Sequence, residues 1–239
     1  MAVFAVWSAP RARSTAFFRS MVERGDLVTL HEPFCNLDDY GETDVEGRVF
    51  HSPAELLVWL RTETRGARVF LKDATDRRHE EVLSDREFLA EARHAFLIRS
   101  PEEIAASWYA VEPDLQVGHI GLEALFELYS AVHAAGGRHP VVIDSDDLVE
   151  RPEATMRAYC EAVDLPFMPE ALAWDPVDRF EWRRTARWHA DVAASSGFQP
   201  RAQAYACTVD NSPEMARIAA HHRPFYEKLH ARRLVVANQ

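Results

Sequence analysis

The chain opens on an unbroken apolar run, Ala2–Trp7. A short polar stretch follows, Ser8-Ala9-Pro10-Arg11-Ala12-Arg13-Ser14-Thr15, and then Ala16-Phe17-Phe18-Arg19. That order fits a buried strand, a tight turn and the first turn of an amphipathic helix. A helix N-terminus offers free backbone N–H groups and a partial positive charge, so this turn is a natural anion site. Arg11 and Arg13 fit it to a strongly charged ligand such as a phosphate or sulfate ester. The turn lacks the glycines and lysine of a Walker loop, and Arg11 stands where a basic residue would meet the anion. Ser14 and Thr15 have two readings: Ser14 as a helix cap, or both hydroxyls as donors to the ligand.

The rest of the chain repeats the pattern. Strands are expected at Leu27–His31, Arg68–Leu71 (leading into Lys72-Asp73), His94–Ile98 (ending at Arg99) and Pro140–Ile143. Helices are expected at Thr15–Arg24, from Pro53 to about Glu63, at Ile120–Ala134 before Gly136-Gly137, at Pro152–Val163 and after Ser212-Pro213. Ser100, Pro101, Glu102 and Glu103 form a complete helix start. Residues 36–47, with Asp38, Asp39, Glu42, Asp44 and Glu46, are expected to be an acidic loop. Residues 170–211 show little periodicity. The last helix sets Met215, Ile218, Ala219, Phe225, Tyr226 and Leu229 on one face, with a kink expected at Pro224. His221 and His222, being adjacent, should divide between surface and core.

Alternating strands and helices imply an α/β fold around a central parallel sheet, three layers deep, with a helical C-terminal part. At 239 residues and 47% hydrophobic, the chain is expected to form one domain. Residues 1–165 are expected to make the α/β core and 166–239 a mainly helical cap with the C-terminal helix. A net charge of −11 argues against general nucleic-acid binding. Cys35, Cys160 and Cys207 are scattered and carry no zinc spacing, so reduced thiols in a cytoplasmic protein and no structural metal are expected. No leader pattern and no run of membrane-spanning length appears.

Ligands of open parallel sheets sit beyond the carboxyl ends of the strands. The rule brings Ser8–Thr15, His31–Glu32, Lys72–Asp73, Arg99 and Asp144–Asp147 to one edge.

With those residues assembled, the chain resembles the sulfotransferases that use 3′-phosphoadenosine 5′-phosphosulfate (PAPS), in their bacterial branch. Pro10-Arg11-Ala12-Arg13-Ser14-Thr15 matches the family's 5′-phosphosulfate loop, P-[KR]-S-G-[ST]-T. Arg99-Ser100-Pro101-Glu102-Glu103-Ile104-Ala105-Ala106-Ser107 matches its 3′-phosphate motif, a strand-ending arginine with a serine eight residues on. Arg13 replaces the loop glycine and Arg11 the lysine common in cytosolic members. The family's C-terminal glycine-rich loop has no clear counterpart; Arg183, Arg184 and the Ser195-Ser196-Gly197 turn are its candidates.

The resemblance implies a P-loop-NTPase-like fold. It implies transfer of a sulfuryl group from PAPS to a hydroxyl or amine, with adenosine 3′,5′-bisphosphate (PAP) as product and no metal required. Arg11, Ala12, Arg13, Ser14 and Thr15 would hold the 5′ end, Arg99 and Ser107 the 3′-phosphate, and Arg183 and Arg184 would add contacts. Glu32 is the first candidate for the base, His31 its rival, and Lys72 and Arg11 would stabilise developing charge. On a strand only one of His31 and Glu32 should face the site. The partner expected is a small-molecule acceptor, with neither nucleic acid nor membrane, and a homodimer is the expected assembly. Aromatic residues Phe34, Tyr40, Trp108, Tyr109 and Trp188 are candidates for the acceptor pocket. The rival readings are a small-molecule kinase with Asp144 or Asp73 on magnesium, and a nucleotide-binding protein without catalysis.

Overall fold

A computed structural model describes residues 2–64, 66–136, 139–199 and 204–236. Five strands form one parallel sheet: β1 (Val3–Ser8), β2 (Val28–His31), β5 (Val69–Ala74), β6 (Arg93–Ile98) and β7 (Val141–Asp144), in the order β2-β5-β1-β6-β7. Strands β3 (Thr43–Val45) and β4 (Arg48–Phe50) pair as a separate antiparallel hairpin. β1 is central and buried along its whole length, as expected for an apolar run with both faces covered.

Helix α1 (Ser14–Glu23) carries the chain from β1 to one edge of the sheet. Helices α6 (Pro101–Tyr109) and α7 (Leu122–Ala135) carry it from β6 to the other. Right-handed crossovers in opposite directions put these helices on opposite faces. Helix α9 (Pro152–Ala162) shares with α1 the 3-10 turn Pro169–Leu172, whereas α11 (Pro213–His230) packs on α6 and α7. The chain reverses direction across the sheet at β1, so the crevice beyond its carboxyl end is the topological switch point.

Most expected elements lie within two residues of their observed limits. Ser100 accepts from the Glu103 N–H and Ser212 from the Met215 N–H, as their cap positions require. α11 continues past Pro224, with His222 buried and His221 exposed. Gly137 lies outside the described residues, and Gly136 ends α7 in the left-handed conformation. The three cysteines are unpaired.

Residues 36–47 correct the expected loop. Helix α2 (Pro33–Tyr40) fills the first half and the hairpin the second. The sequence held the signals, Pro33 at the first helical position and Gly41 at the left-handed C-cap, but the run of carboxylates masked them. Glu46 and Gly47, both with positive φ, make the hairpin turn. Helices α3 (Pro53–Thr62), α4 (Glu80–Ser84), α5 (Arg86–Glu91), α8 (Ser145–Glu150) and α10 (Ala190–Ala193) complete the regular structure.

Gly121, at the start of α7, braces the β1 loop. Its φ is +71°, and a Cβ there would lie 2.6 Å from Pro10 Cδ and 2.7 Å from the Thr75 carbonyl oxygen. Only glycine fits that seam. The Thr75 hydroxyl, with the Ser8 and Gly121 carbonyl oxygens both in reach, ties the strand end to the same point.

Candidate active site

One cleft of about 480 Å³ opens at the carboxyl edge of the sheet. Its floor is the loop Ala9–Arg13. The Ala9 N–H donates to the Leu97 carbonyl, so the loop leaves β1 still attached to β6. Arg11 and Arg13 both take the left-handed conformation, φ 60° at each, which costs an L-residue about 1–2 kcal/mol. Arg13 is the N-cap of α1, and no side chain caps the first turn. Ser14 sits inside the helix, so the cap reading of its hydroxyl does not hold; Ser14 and Thr15 both line the cleft. Ala12 is buried and lines nothing. The Arg13 guanidinium turns to the start of α8, bonding the Ser145 carbonyl at 3.0 Å and Asp146 at 2.5 Å.

The two arginine motifs meet. Arg99 donates to the Arg11 carbonyl at 3.0 Å, and Arg11 Nε donates to Ser107 Oγ at 3.0 Å. Arg99 is 7% exposed, and its Nε is buried without a hydrogen-bond partner, although Glu103 lies 3.5 Å away. A buried guanidinium N–H left unsatisfied at the wall of a cleft suits an anion that would complete it. Burial lowers the Arg11 pKa. The residues present therefore fit a ligand carrying more than one anionic group.

Strands β2 and β5 supply the second half. Lys72, 2% exposed, is ion-paired to Glu32. Burial pushes the Glu32 carboxyl up, but Lys72 first, then His31 and His189, reverse this and hold it well below the usual carboxylate range. Glu32 leaves the strand pattern, with φ 49°, and its backbone is fixed from outside. The neighbouring Asp73, wholly buried, accepts from the Phe34 N–H at 2.7 Å and the Cys35 N–H at 3.4 Å, capping α2 across the sheet edge. Successive residues of β5 thus hold Glu32 twice, Lys72 by its side chain and Asp73 through the helix that follows. Glu32 lines the cleft and His31 does not. The His31 ring packs edge-on to Phe18 and to His189, and burial drives its pKa well down.

The weakly periodic segment supplies the far wall. Within the 3-10 turns Phe180–Trp188, Trp188 offers its carbonyl to Arg11 at 2.8 Å, and its ring stands 4.6 Å from that of Trp108. Thr185, Arg187 and His189 line the cleft as well, as do Ser195 and Gly197 of the expected turn. Arg183 and Arg184 do not. Arg184 pairs with Glu42 on the exterior, and Arg183 lies over Phe180. In a regular 3-10 run Arg184 and Arg187, three positions apart, would share a face; the backbone leaves helical geometry at Thr185, φ −119°, between them, and Arg187 lines the cleft while Arg184 faces outward. His189 went unread because nothing in the local pattern marks it; its significance is its contact with Thr15, 174 positions away. Of the candidate aromatics, Trp108 and Trp188 line the cleft, and Phe34, Tyr40 and Tyr109 do not.

Comparison with known proteins places the chain in a family. A sulfotransferase domain model matches residues 62–233, from the end of α3 to just past α11, and includes Arg99 and Ser107. The chain belongs to the sulfotransferase domain family. Two Arabidopsis thaliana proteins named branched-chain-amino-acid aminotransferase-like protein 2 and protein 1 are 28% and 29% identical over 83% and 80% of the chain. The chain spans about a third of the length of these curated relatives, 36% in each case. Among solved structures, the sulfotransferase domain of the Synechococcus PCC 7002 olefin synthase superposes with a TM-score of 0.50 at 13% identity, covering 92% of this chain and 94% of that one. The fold is therefore that of a sulfotransferase. No described helix is long and apolar enough to cross a membrane.

Proposed function

We propose that this protein transfers a sulfuryl group from PAPS to a hydroxyl or amine of a small-molecule acceptor. The observation that carries this reading is the junction of the two motifs: Arg99 bonded to the Arg11 backbone, and Arg11 bonded to Ser107. A loop that binds one phosphate would serve many nucleotides. A second arginine and serine fixed against it provide for a second anion, the feature that separates a 3′-phosphorylated donor from ATP.

The donor brings an activated sulfuryl group. Arg11, Ser14 and Thr15 would hold its 5′ anionic end, and Arg99 and Ser107 its 3′-phosphate. Glu32 is the base. It is ionised across the neutral range, faces the cleft and is oriented from both sides. A carboxylate held this acidic removes a proton only late, as the acceptor oxygen or nitrogen loses its electron pair to sulfur. When Glu32 takes that proton its attraction for Lys72 collapses. Lys72 is then a buried cation without a partner, which favours negative charge building nearby. His31, enclosed by rings, serves Glu32 as a neutral neighbour rather than as the base.

Calorimetric titration with PAP, ATP and ADP, with and without magnesium, tests the reading. Metal-independent preference for PAP is expected. Magnesium-dependent ATP binding without that preference would replace it with a kinase.

A further inference from the structure

His189 stands between two hydroxyls. Its Nδ1 is 2.8 Å from Thr15 Oγ1, and its Nε2 is 3.0 Å from Thr185 Oγ1. The ring is buried against Trp182 and His31. Burial lowers its pKa to about 4, with Glu32 opposing and Lys72 and Arg11 reinforcing. At neutral pH the ring is uncharged, so one nitrogen donates and the other accepts.

Two arrangements satisfy that rule. In one, Nε2–H donates to Thr185, whose own proton finds within the protein only the Trp182 carbonyl, and Nδ1 takes the proton of Thr15. The Thr185–Trp182 contact is 3.4 Å, beyond the normal O–H···O range. In the other, Thr185 donates to Nε2 at 3.0 Å, and Nδ1–H donates to Thr15 at 2.8 Å. Only the second uses bonds of ordinary length throughout. The two also differ in what they present to the cleft. The first leaves Thr15 with lone pairs alone, which repel an anion. The second occupies one lone pair and leaves the proton of Thr15 for the ligand.

We infer that His189 is a positioning residue: through Nδ1–H it turns the hydroxyl of Thr15 into a hydrogen-bond donor for the anion held by the Arg11–Thr15 loop. This rests on the reading of that loop as the nucleotide's 5′ site. It assigns to the C-terminal segment a part in the loop's chemistry, relayed from Thr185 through His189 to Thr15.

The tautomer is measured directly on the ligand-free wild-type protein. Long-range proton–nitrogen NMR of nitrogen-15 histidine distinguishes the two forms, and comparison with His189→Asn assigns the resonance. The Nδ1–H form is expected; the Nε2–H form overturns the inference, whatever the protein binds. The second arm is a double-mutant cycle on PAP affinity with Thr15→Val, His189→Leu and their combination. Each single change is expected to weaken binding about tenfold and the pair together no more than about tenfold, because both remove the same donor. Asparagine places an amide N–H near the position of Nδ1, so His189→Asn is expected within about threefold of wild type. Additive losses, about a hundredfold in the pair, would mean that His189 acts on something other than Thr15. Absence of PAP binding in the wild type would remove the donor reading and leave the tautomer measurement to decide the inference.

Discussion

The sheet and the segment 166–199 reach one cleft by different means. Ser8, Glu32 and Arg99 stand at or just beyond strand ends, and Lys72 two residues inside the end of β5, where a buried parallel ladder fixes the backbone. The segment has short 3-10 turns, one four-residue helix and a single bridge, Ala173 to Gly197. It is tied to the site through Trp188 to Arg11, His189 to Thr15 and Arg187 to Glu112. Groups on the sheet carry charge that the fold is built around. Groups on the segment orient and enclose what the sheet already holds. Damage to the first should therefore be large and shared between stability and chemistry, and damage to the second smaller and confined to the ligand.

The largest effect is expected at Glu32. Glu32→Gln should lower turnover by about 10²–10⁴-fold while PAP affinity changes by less than about threefold. It also strands Lys72 in the interior, and thermal unfolding should show a loss of about 3–5 kcal/mol. Combining it with Lys72→Met should recover most of that stability and none of the turnover. If the double variant melts no higher than the single one, the ion pair is not what holds this corner of the sheet.

Arg99→Ala should weaken PAP binding about a hundredfold by calorimetry, from two charge-assisted bonds of about 1.5 kcal/mol each. ATP binding should change much less, and equal losses for both nucleotides would remove Arg99 from the 3′ site.

Acid tests both regions at once. His94, in the sheet core, accepts from the Trp7 indole at 3.0 Å, and burial holds its pKa at about 4. His189, in the segment, is held at about 4 by the same cause. Both lie below the ordinary histidine value of 6.5. Between those limits the unfolded chain binds more protons than the folded one. Stability is therefore complete above about pH 6.5 and falls as the pH drops toward 4, by about 3 kcal/mol for each ring. Buried His31 and His222 add to the slope in the same sense, so urea unfolding at a series of pH values should show it and His189→Asn should make it shallower without abolishing it. An unchanged slope would mean that the segment opens before the sheet unfolds.

The smallest effects separate neighbours. Arg187→Ala should weaken PAP binding about threefold, whereas Arg184→Ala should leave it unchanged, since an exposed pair such as Arg184–Glu42 contributes at most about 1 kcal/mol to stability. Calorimetry on the two variants side by side decides which of the two arginines meets the ligand.

How much of this was legible in the sequence follows the same division. Strand periodicity locates the sheet, and the rule of strand ends gathers Arg11, Glu32, Lys72 and Arg99 from the sequence alone. Local chemistry was enough there, because a buried ladder determines where its own ends lie. Helix α2 is hard to read although Pro33 opens it and Gly41 follows it, because the side chain that caps its first turn, Asp73, is distant in sequence and its exposed face is acidic. The sequence offers Arg183 and Arg184 as candidates and gives no sign of Arg187, because a basic run does not state its own phase. His189 was missed because its partners, Thr15 and Thr185, belong to no common motif. Where tertiary contact alone gives a residue its meaning, periodicity and spacing are silent.

Arg13 occupies a backbone conformation that glycine adopts freely, and its guanidinium is held by a half-exposed carboxylate, Asp146. Exchanging arginine for glycine there relieves about 1–2 kcal/mol of backbone strain and gives up an ion pair worth at most about 1 kcal/mol together with the bond to the Ser145 carbonyl. The two nearly cancel, so a lineage can cross between these residues in either direction without passing through an unstable ancestor. What such a loop hands down is a curve of backbone rather than a string of letters, and a search for the letters will pass over relatives that have kept the curve.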